Sequence, residues 1–194
     1  MSSLALLPPT FTTGDARQAG VHTRQLYAWR ESGEVVPLSR GVFRRADALA
    51  AHPELLAVAH RSPVAVVCLV SAAALHELTD ELPRAVQIAV PRGSRPPRIA
   101  YPPVEVFQFD AATFELGLSE VDAAEGEPVR VYSPARTVVD LMRFRRRIGE
   151  PLALGAVRHY LASRGARPVK LLELARALDV LGPVRAAVDV LEAS

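Results

Sequence analysis

The sequence predicts an α+β fold, and three observations predict it. Residues 10–46 read as two short helices around a glycine, followed by two short strands. β-favouring runs at 64–67, 85–91, 104–109 and 129–132 precede an almost purely helical stretch from Pro134 onward. With 194 residues, 49% hydrophobic and 23% charged, the chain has a globular balance, long enough for a core without disulfides. At roughly 100–200 residues per domain this is one large domain or two small ones. The composition shifts divide it into residues 1–50 and residues 51–194.

The N-terminal elements follow from local signals. Thr12 or Thr13 caps a helix running to Ala19, with Asp15 in its first turn. Gly20 ends that helix as a residue able to take positive φ. A second helix begins at Val21-His22-Thr23 and runs to Glu31. Leu26 and Trp29, with Val21, form its inward stripe, and Ser32-Gly33 stops it. Val35 to Arg44 then reads as a hairpin turning at Ser39-Arg40-Gly41. Helix, glycine turn, helix and hairpin make a winged helix-turn-helix. Such a second helix enters a major groove by its N-terminal end. That expectation assigns Thr23 to a phosphate, Arg24 and Gln25 to guanine and adenine edges, and Tyr27 and Arg30 to the backbone. Arg40 and Arg44 on the wing would reach the adjacent minor groove or its phosphates. Polar residues opposite an apolar stripe are also what any solvated helix shows, so the hairpin placed directly after the pair carries much of this assignment.

Beyond the wing, Ala48 to His60 has helical composition with a break expected near His52, because Pro53 suits a helix start. Val64–Val67 is β-favouring, and Leu69–Leu78 reads as a buried helix whose Ser and Ala residues permit close packing. Ala85–Pro91 and Val104–Phe109 are strands, Ala111–Leu116 a short helix, and Val129–Tyr132 another strand. Pro134 opens a helix to about Arg147, in which Arg136 and Asp140 stand four apart on one face. Three further helices are expected at Leu152–Ser163, Val169–Leu178 and Val184–Leu191. The domain is thus mixed α+β and ends in a helical segment.

Composition removes several function classes. Lys170 is the only lysine, and 23 cations against 21 acids leave +2 at pH 7. No Gly-x-x-x-x-Gly-Lys-Ser/Thr loop is possible, and Gly-x-Gly-x-x-Gly, His-Glu-x-x-His and Gly-x-Ser-x-Gly are all missing. The five histidines show no metal-ligand spacing; His76 reads as a satisfied core or boundary histidine, and Cys68 as a small buried hydrophobe. Neither metal nor cofactor is expected. The carboxylates Glu115, Glu120, Asp122, Glu125 and Glu127 read as a solvated acidic face, with a metal-dependent nuclease as the competing enzyme reading. Arg143, Arg145, Arg146 and Arg147, and separately Arg92, Arg95 and Arg98, are candidates for a second phosphate or partner patch; a solvated helix end and a basic turn are the simpler explanations. Met1–Pro9 has no basic start and is broken by Pro8, which argues against a secretory signal. The longest apolar run, Val64–Leu75, is too short for a membrane span. A cytoplasmic protein is the expectation.

Several blocks, in order, resemble the AbiEi family of antitoxins. They are Arg40-Gly41-Val42-Phe43 at the wing, Cys68 to Leu78 with Ser71-Ala72 and His76-Glu77-Leu78, Ile88 to Pro97, and Val129 to Asp140 with Ser133-Pro134-Ala135-Arg136-Thr137. The resemblance spans nearly the whole chain. It departs at Glu77, where the family commonly has glycine. It implies a winged helix that represses the operon's own promoter, bound as double-stranded DNA with inverted repeats. It also implies a second α+β domain, no catalysis, and a nucleotidyltransferase-type toxin from a phage-defence locus as partner. The protein would be a monomer or weak dimer, two copies sharing an operator. The competing function is a protein-interaction module that holds the toxin directly.

Overall fold

The computed structural model describes residues 3–192. By packing, the chain divides into two units. The first comprises Met1–Ala65, Pro97–Val104 and Val121–Val129; the second comprises Val66–Pro96, Glu105–Glu120 and Arg130–Ser194.

The first unit is built on β1 (Thr10–Thr12), α1 (Thr13–Gln18), α2 (Thr23–Glu31), β2 (Val35–Ser39), β3 (Val42–Arg45) and α3 (Pro53–Arg61). The three strands form an antiparallel sheet in the order β1-β3-β2. Leu7, Phe11, Ala16, Val21, Leu26, Trp29, Val35 and Phe43 close a single core between this sheet and the two helices. Phe11 and Phe43 stack across the β1–β3 pair at 6.0 Å. This is the winged helix-turn-helix expected for the N-terminal segment, with β1 as a third strand that a three-residue run of Thr-Phe-Thr did not announce. α3 packs on the same sheet, which carries the first unit past residue 50 to Ala65.

The second unit holds most of a five-stranded sheet, β6-β5-β4-β8-β7, from β4 (Val66–Val67), β5 (Val86–Pro91), β6 (Val104–Phe109), β7 (Leu118–Ala124) and β8 (Glu127–Tyr132). β4 is antiparallel to β5 and parallel to β8. The helices are α4 (Leu69–Leu75), α5 (Pro134–Ile148), α6 (Glu150–Ala162), α7 (Pro168–Ala177) and α8 (Leu181–Glu192). Their apolar faces and Phe107, Phe109, Phe114 and Tyr132 form one core. Each helix after β8 starts where the sequence places a proline at its first turn or just inside it. β7 was not expected as a strand. Its acids, Glu120 and Asp122, occupy alternate exposed positions while Ala123 is buried. This is the period of a half-buried edge strand.

α5 carries a fully buried ion pair. Arg136 donates from Nε to Asp140 Oδ2 at 2.8 Å, with both side chains at 0% exposure. Its Nη1 donates to the carbonyls of Thr113 (2.9 Å) and Leu116. Its guanidinium lies 4.3 Å over the Tyr132 ring. Arg143 donates to the other Asp140 oxygen at 2.6 Å. Burial pushes the Asp140 carboxyl up, against the pull of Arg136 and Arg143. Burial likewise pushes the Tyr132 hydroxyl up, and that hydroxyl donates to Phe114 O at 2.9 Å. The loop that supplies these carbonyls turns at Gly117, with φ +71°. A Cβ there would stand 2.6 Å from the Arg136 Cβ, so only glycine fits this approach.

The family-like departure at Glu77 has a physical reading. Glu77 follows the C-cap of α4 with φ +56°. Its N–H donates to Ala74 O and that of Leu78 to Ala73 O at 2.8 Å, the pattern of a helix closed by a left-handed residue. Glutamate is strained there and glycine is not. Glu77→Gly is therefore expected to leave stability unchanged or raise it by up to ~1 kcal/mol, measured by urea unfolding. The same measurement on Asp140→Ala is expected to show a loss of about 3–5 kcal/mol, because Arg136 would stay buried without its counter-ion.

Candidate nucleic-acid interface

The helix pair is set by two turns of hydrogen bonding. Thr12 caps α1: its Oγ1 accepts from Asp15 N at 3.1 Å, and Asp15 Oδ2 accepts from Thr12 N at 2.7 Å. The Thr12 backbone N–H, then its hydroxyl, hold the Asp15 carboxyl below the usual range. α1 ends as Gly20 N donates to Arg17 O (3.0 Å) and Val21 N to Ala16 O (2.8 Å), with Gly20 at φ +78°. The chain thereby reverses into α2.

Leu26 and Trp29 anchor α2 in the core. Thr23, Arg24, Gln25, Tyr27 and Arg30 are all exposed. Arg30 lies 5.5 Å over the Tyr27 ring, one turn away. The N-terminal end of α2 is open. Leu26 N is the first amide to find a helical carbonyl, at His22 O (3.1 Å), and the His22 side chain makes no cap bond. The residues of its first turn, with His22 and Ala28, line a shallow hollow. Such an end attracts anions through its N–H groups and its dipole.

The wing turns at Arg40-Gly41. Gly41 has φ +76°, and its carbonyl accepts from Thr13 N at 3.0 Å. The wing tip is thus tied to the start of α1 in the same unit. Arg40 is exposed. Arg44, expected beside it as a nucleic-acid contact, is not available for one. It is 5% exposed. It donates from Nε to Ala48 O (2.9 Å), from Nη2 to Leu49 O, and from Nη1 to Thr10 Oγ1 and Glu127 Oε2. Position 44 faces inward because Val42, Phe43 and Arg44 are all buried at the central strand β3, where simple alternation would have placed every second side chain in solvent. Burial pushes the Glu127 carboxyl up, but its bonds to Arg44 and Thr10 outweigh this and leave it below the usual range.

The arginine run of α5 is also mostly engaged. Arg143 binds Asp140, Arg145 donates to Met142 O at 2.7 Å, and Arg147 binds Glu105 at 2.7 Å while lying 4.6 Å over Phe107. Arg146 is exposed and has no such partner among the described residues. Of the four arginines, Arg143 and Arg145 are partly buried, while Arg146 and Arg147 remain exposed. Arg92, Arg95 and Arg98 are exposed; Arg92 and Arg95 belong to the second unit and Arg98 to the first.

The acidic stretch is dispersed. Glu115 binds Arg130 at 2.9 Å, Glu127 binds Arg44, and Glu120 and Asp122 face outward on β7. Among the described residues no three His, Cys, Asp or Glu side chains group as metal ligands. Cys68 is fully buried and burial pushes its thiol up, away from nucleophilic use. His76 bonds Tyr132 O through Nε2 at 2.7 Å, and burial lowers its pKa. No helix among the described residues is long and apolar enough to cross a membrane.

The two wing arginines should separate in one experiment. Arg44→Ala is expected to cost about 3–5 kcal/mol by leaving Glu127 partly buried and unpaired. Arg40→Ala, at an exposed turn, is expected to stay within ~0.5 kcal/mol. Thermal or urea unfolding of both variants checks the pair.

Three comparisons bear on this arrangement. Residues 2–46 match a family model described as a transcriptional regulator, AbiEi antitoxin. Residues 65–188 match the AbiEi antitoxin C-terminal domain. Among curated proteins none matches. A solved structure, that of the RV2827C protein from Mycobacterium tuberculosis, is similar at a TM-score of 0.58 and 17% identity, covering 94% of this chain and 76% of that one. At that identity the likeness speaks for the fold alone. The second family model alone covers more than half of the chain, and the first accounts for the winged helix. The chain belongs to the AbiEi antitoxin family of transcriptional regulators.

Proposed function

We propose that this protein represses its own operon by binding promoter DNA, and that it serves as the antitoxin of a nucleotidyltransferase-type toxin. The observation that carries the DNA half is α2: five exposed polar or cationic residues, Thr23, Arg24, Gln25, Tyr27 and Arg30, stand opposite the buried Leu26 and Trp29, at a helix whose N-terminal amides are open. In this reading Thr23 and the first-turn amides take a phosphate, Arg24 and Gln25 read guanine and adenine edges, and Tyr27 and Arg30 hold the backbone. Arg40 meets phosphates or the minor groove beside them. Arg146 is a sequence-independent contact. Two copies on an inverted repeat would place their helices one helical turn apart. The toxin's chemical type rests on the family alone.

A second reading has an observation of its own. A groove of about 520 Å³ in the second unit is lined mainly by apolar side chains, including Met142, Leu154, Pro183 and Ala187, as a surface for direct contact with a protein would be. Co-purification with the product of the adjacent gene decides between neutralisation by contact and without it.

Fluorescence anisotropy on duplex DNA from upstream of the gene, against a scrambled duplex across a salt series, tests the repressor. Wild type is expected to prefer its own upstream DNA, with log K falling by ~0.9 per neutralised phosphate for each unit of log salt. Arg24→Ala is expected to lose about 1–3 kcal/mol of that preference. Arg146→Ala is expected to weaken both duplexes equally. Equal binding of both duplexes by wild type at every salt concentration would sink the operator claim.

A further inference from the structure

The first unit contains a second chain segment, Pro97–Val104, and its residues 97–103 reach the wing as a loop. Three hydrogen bonds fasten it there. Ser39 Oγ donates to Tyr101 O at 2.6 Å, from the last residue of β2. Arg61, at the end of α3, donates from Nη1 to Arg40 O (3.4 Å) and from Nη2 to Arg98 O (3.3 Å). One guanidinium fork thus bridges the wing tip and the loop. Arg40, Arg61 and Arg98 are exposed, and Tyr101 is 61% exposed. None of the three arginines is ion-paired to a carboxylate among the described residues. The stretch 91–104 contains no acid at all.

The wing tip, the end of α3 and the loop thus each carry an exposed arginine with no carboxylate partner among the described residues, and an anion is the complementary ligand for such a surface. We propose that the 97–103 loop and the wing form one composite edge that grips the phosphate backbone of duplex DNA. Arg98 and the Tyr101 hydroxyl contact phosphates next to those met by Arg40. Arg61 is a positioning residue: its fork bridges the Arg40 and Arg98 carbonyls and so holds the main chain of the loop beside that of the wing tip. A lysine, as a single point donor, could not bridge them in the same way. The proposal rests on the reading that the wing faces DNA, and it extends the protected stretch to a segment far from the helix-turn-helix in sequence.

Hydroxyl-radical footprinting of the full chain on its upstream duplex, with a salt series by anisotropy, tests it. The variants are Arg24→Ala, Arg40→Ala, Arg98→Ala, Tyr101→Phe, Arg61→Lys and Arg61→Ala. Arg98→Ala is expected to expose sugars adjoining those exposed by Arg40→Ala, and to reduce the salt slope by ~0.9, with an unchanged unfolding midpoint. Tyr101→Phe should expose the same sugars more weakly. Arg61→Lys, which keeps the charge, should expose the Arg98-dependent sugars as Arg61→Ala does. If wild type leaves a footprint that Arg24→Ala disrupts while Arg98→Ala changes neither footprint nor slope, the composite edge is wrong and the recognition helix stands. If Arg61→Lys matches wild type, the bridging role is wrong. If wild type protects no sugars and binds neither duplex, the DNA reading falls together with the edge.

Discussion

The second unit is organised around one buried charge. Removing Arg136 and Asp140 from water costs several kcal/mol per ion, and this is offset only if nearly every donor and acceptor finds a partner. The partners here come from three separate places: Asp140 one turn along α5, the carbonyls of Thr113 and Leu116, and the face of Tyr132 at the end of β8. The α5 helix, the turn before β7 and the last residue of β8 can therefore take only one mutual arrangement. Gly117 must be glycine because the Arg136 stem passes where its Cβ would be. Ser133 N donates to Gly117 O at 2.8 Å, so the cap of α5 is fastened to the same turn. A hydrophobic core alone would tolerate small slips of α5 along the sheet; a guanidinium with named carbonyls does not.

Arg44 does similar work in the first unit. It satisfies the carbonyls after β3, a threonine on β1 and a glutamate on β8. An arginine-rich chain with one lysine uses its cations in two ways. Some, such as Arg44, Arg136 and Arg143, are planar cross-links inside the protein, a use to which the delocalised, bidentate guanidinium is suited. Others, such as Arg24, Arg40, Arg98 and Arg146, present their charge to solvent. The second group is the larger, since 16 of the 22 arginines are exposed.

The helices, the glycine turn and the hairpin were legible because each has a local cause: Thr12 and Asp15 as reciprocal caps, Gly20 at positive φ, prolines at helix starts, and Leu26 and Trp29 one turn apart. The Arg136–Asp140 pair was legible as an i,i+4 spacing, although its burial was not. What escaped has non-local causes. β1 is three residues held by pairing with β3, and β7 alternates acids with small residues that acquire meaning only beside β8. The fate of Arg44 depends on Glu127, 83 positions away. Arg61 and Tyr101 carry no motif; the one signal for the Tyr101 segment was the run without acids from 91 to 104. Of the candidate contacts, those on α2 could be picked out by helical phase, whereas those on the wing and in the arginine run required knowing which carboxylates come near.

The outward acids of β7 bear on how the protein behaves in company. β7 is an edge of the five-stranded sheet, and an unpaired edge offers a row of amides and carbonyls to any passing strand. Glu120 and Asp122 line that edge with negative charge. A second molecule docking there as an antiparallel strand would set carboxylates against carboxylates, and a flat in-register stack would be worse. Growth of the sheet past β7 is thereby disfavoured.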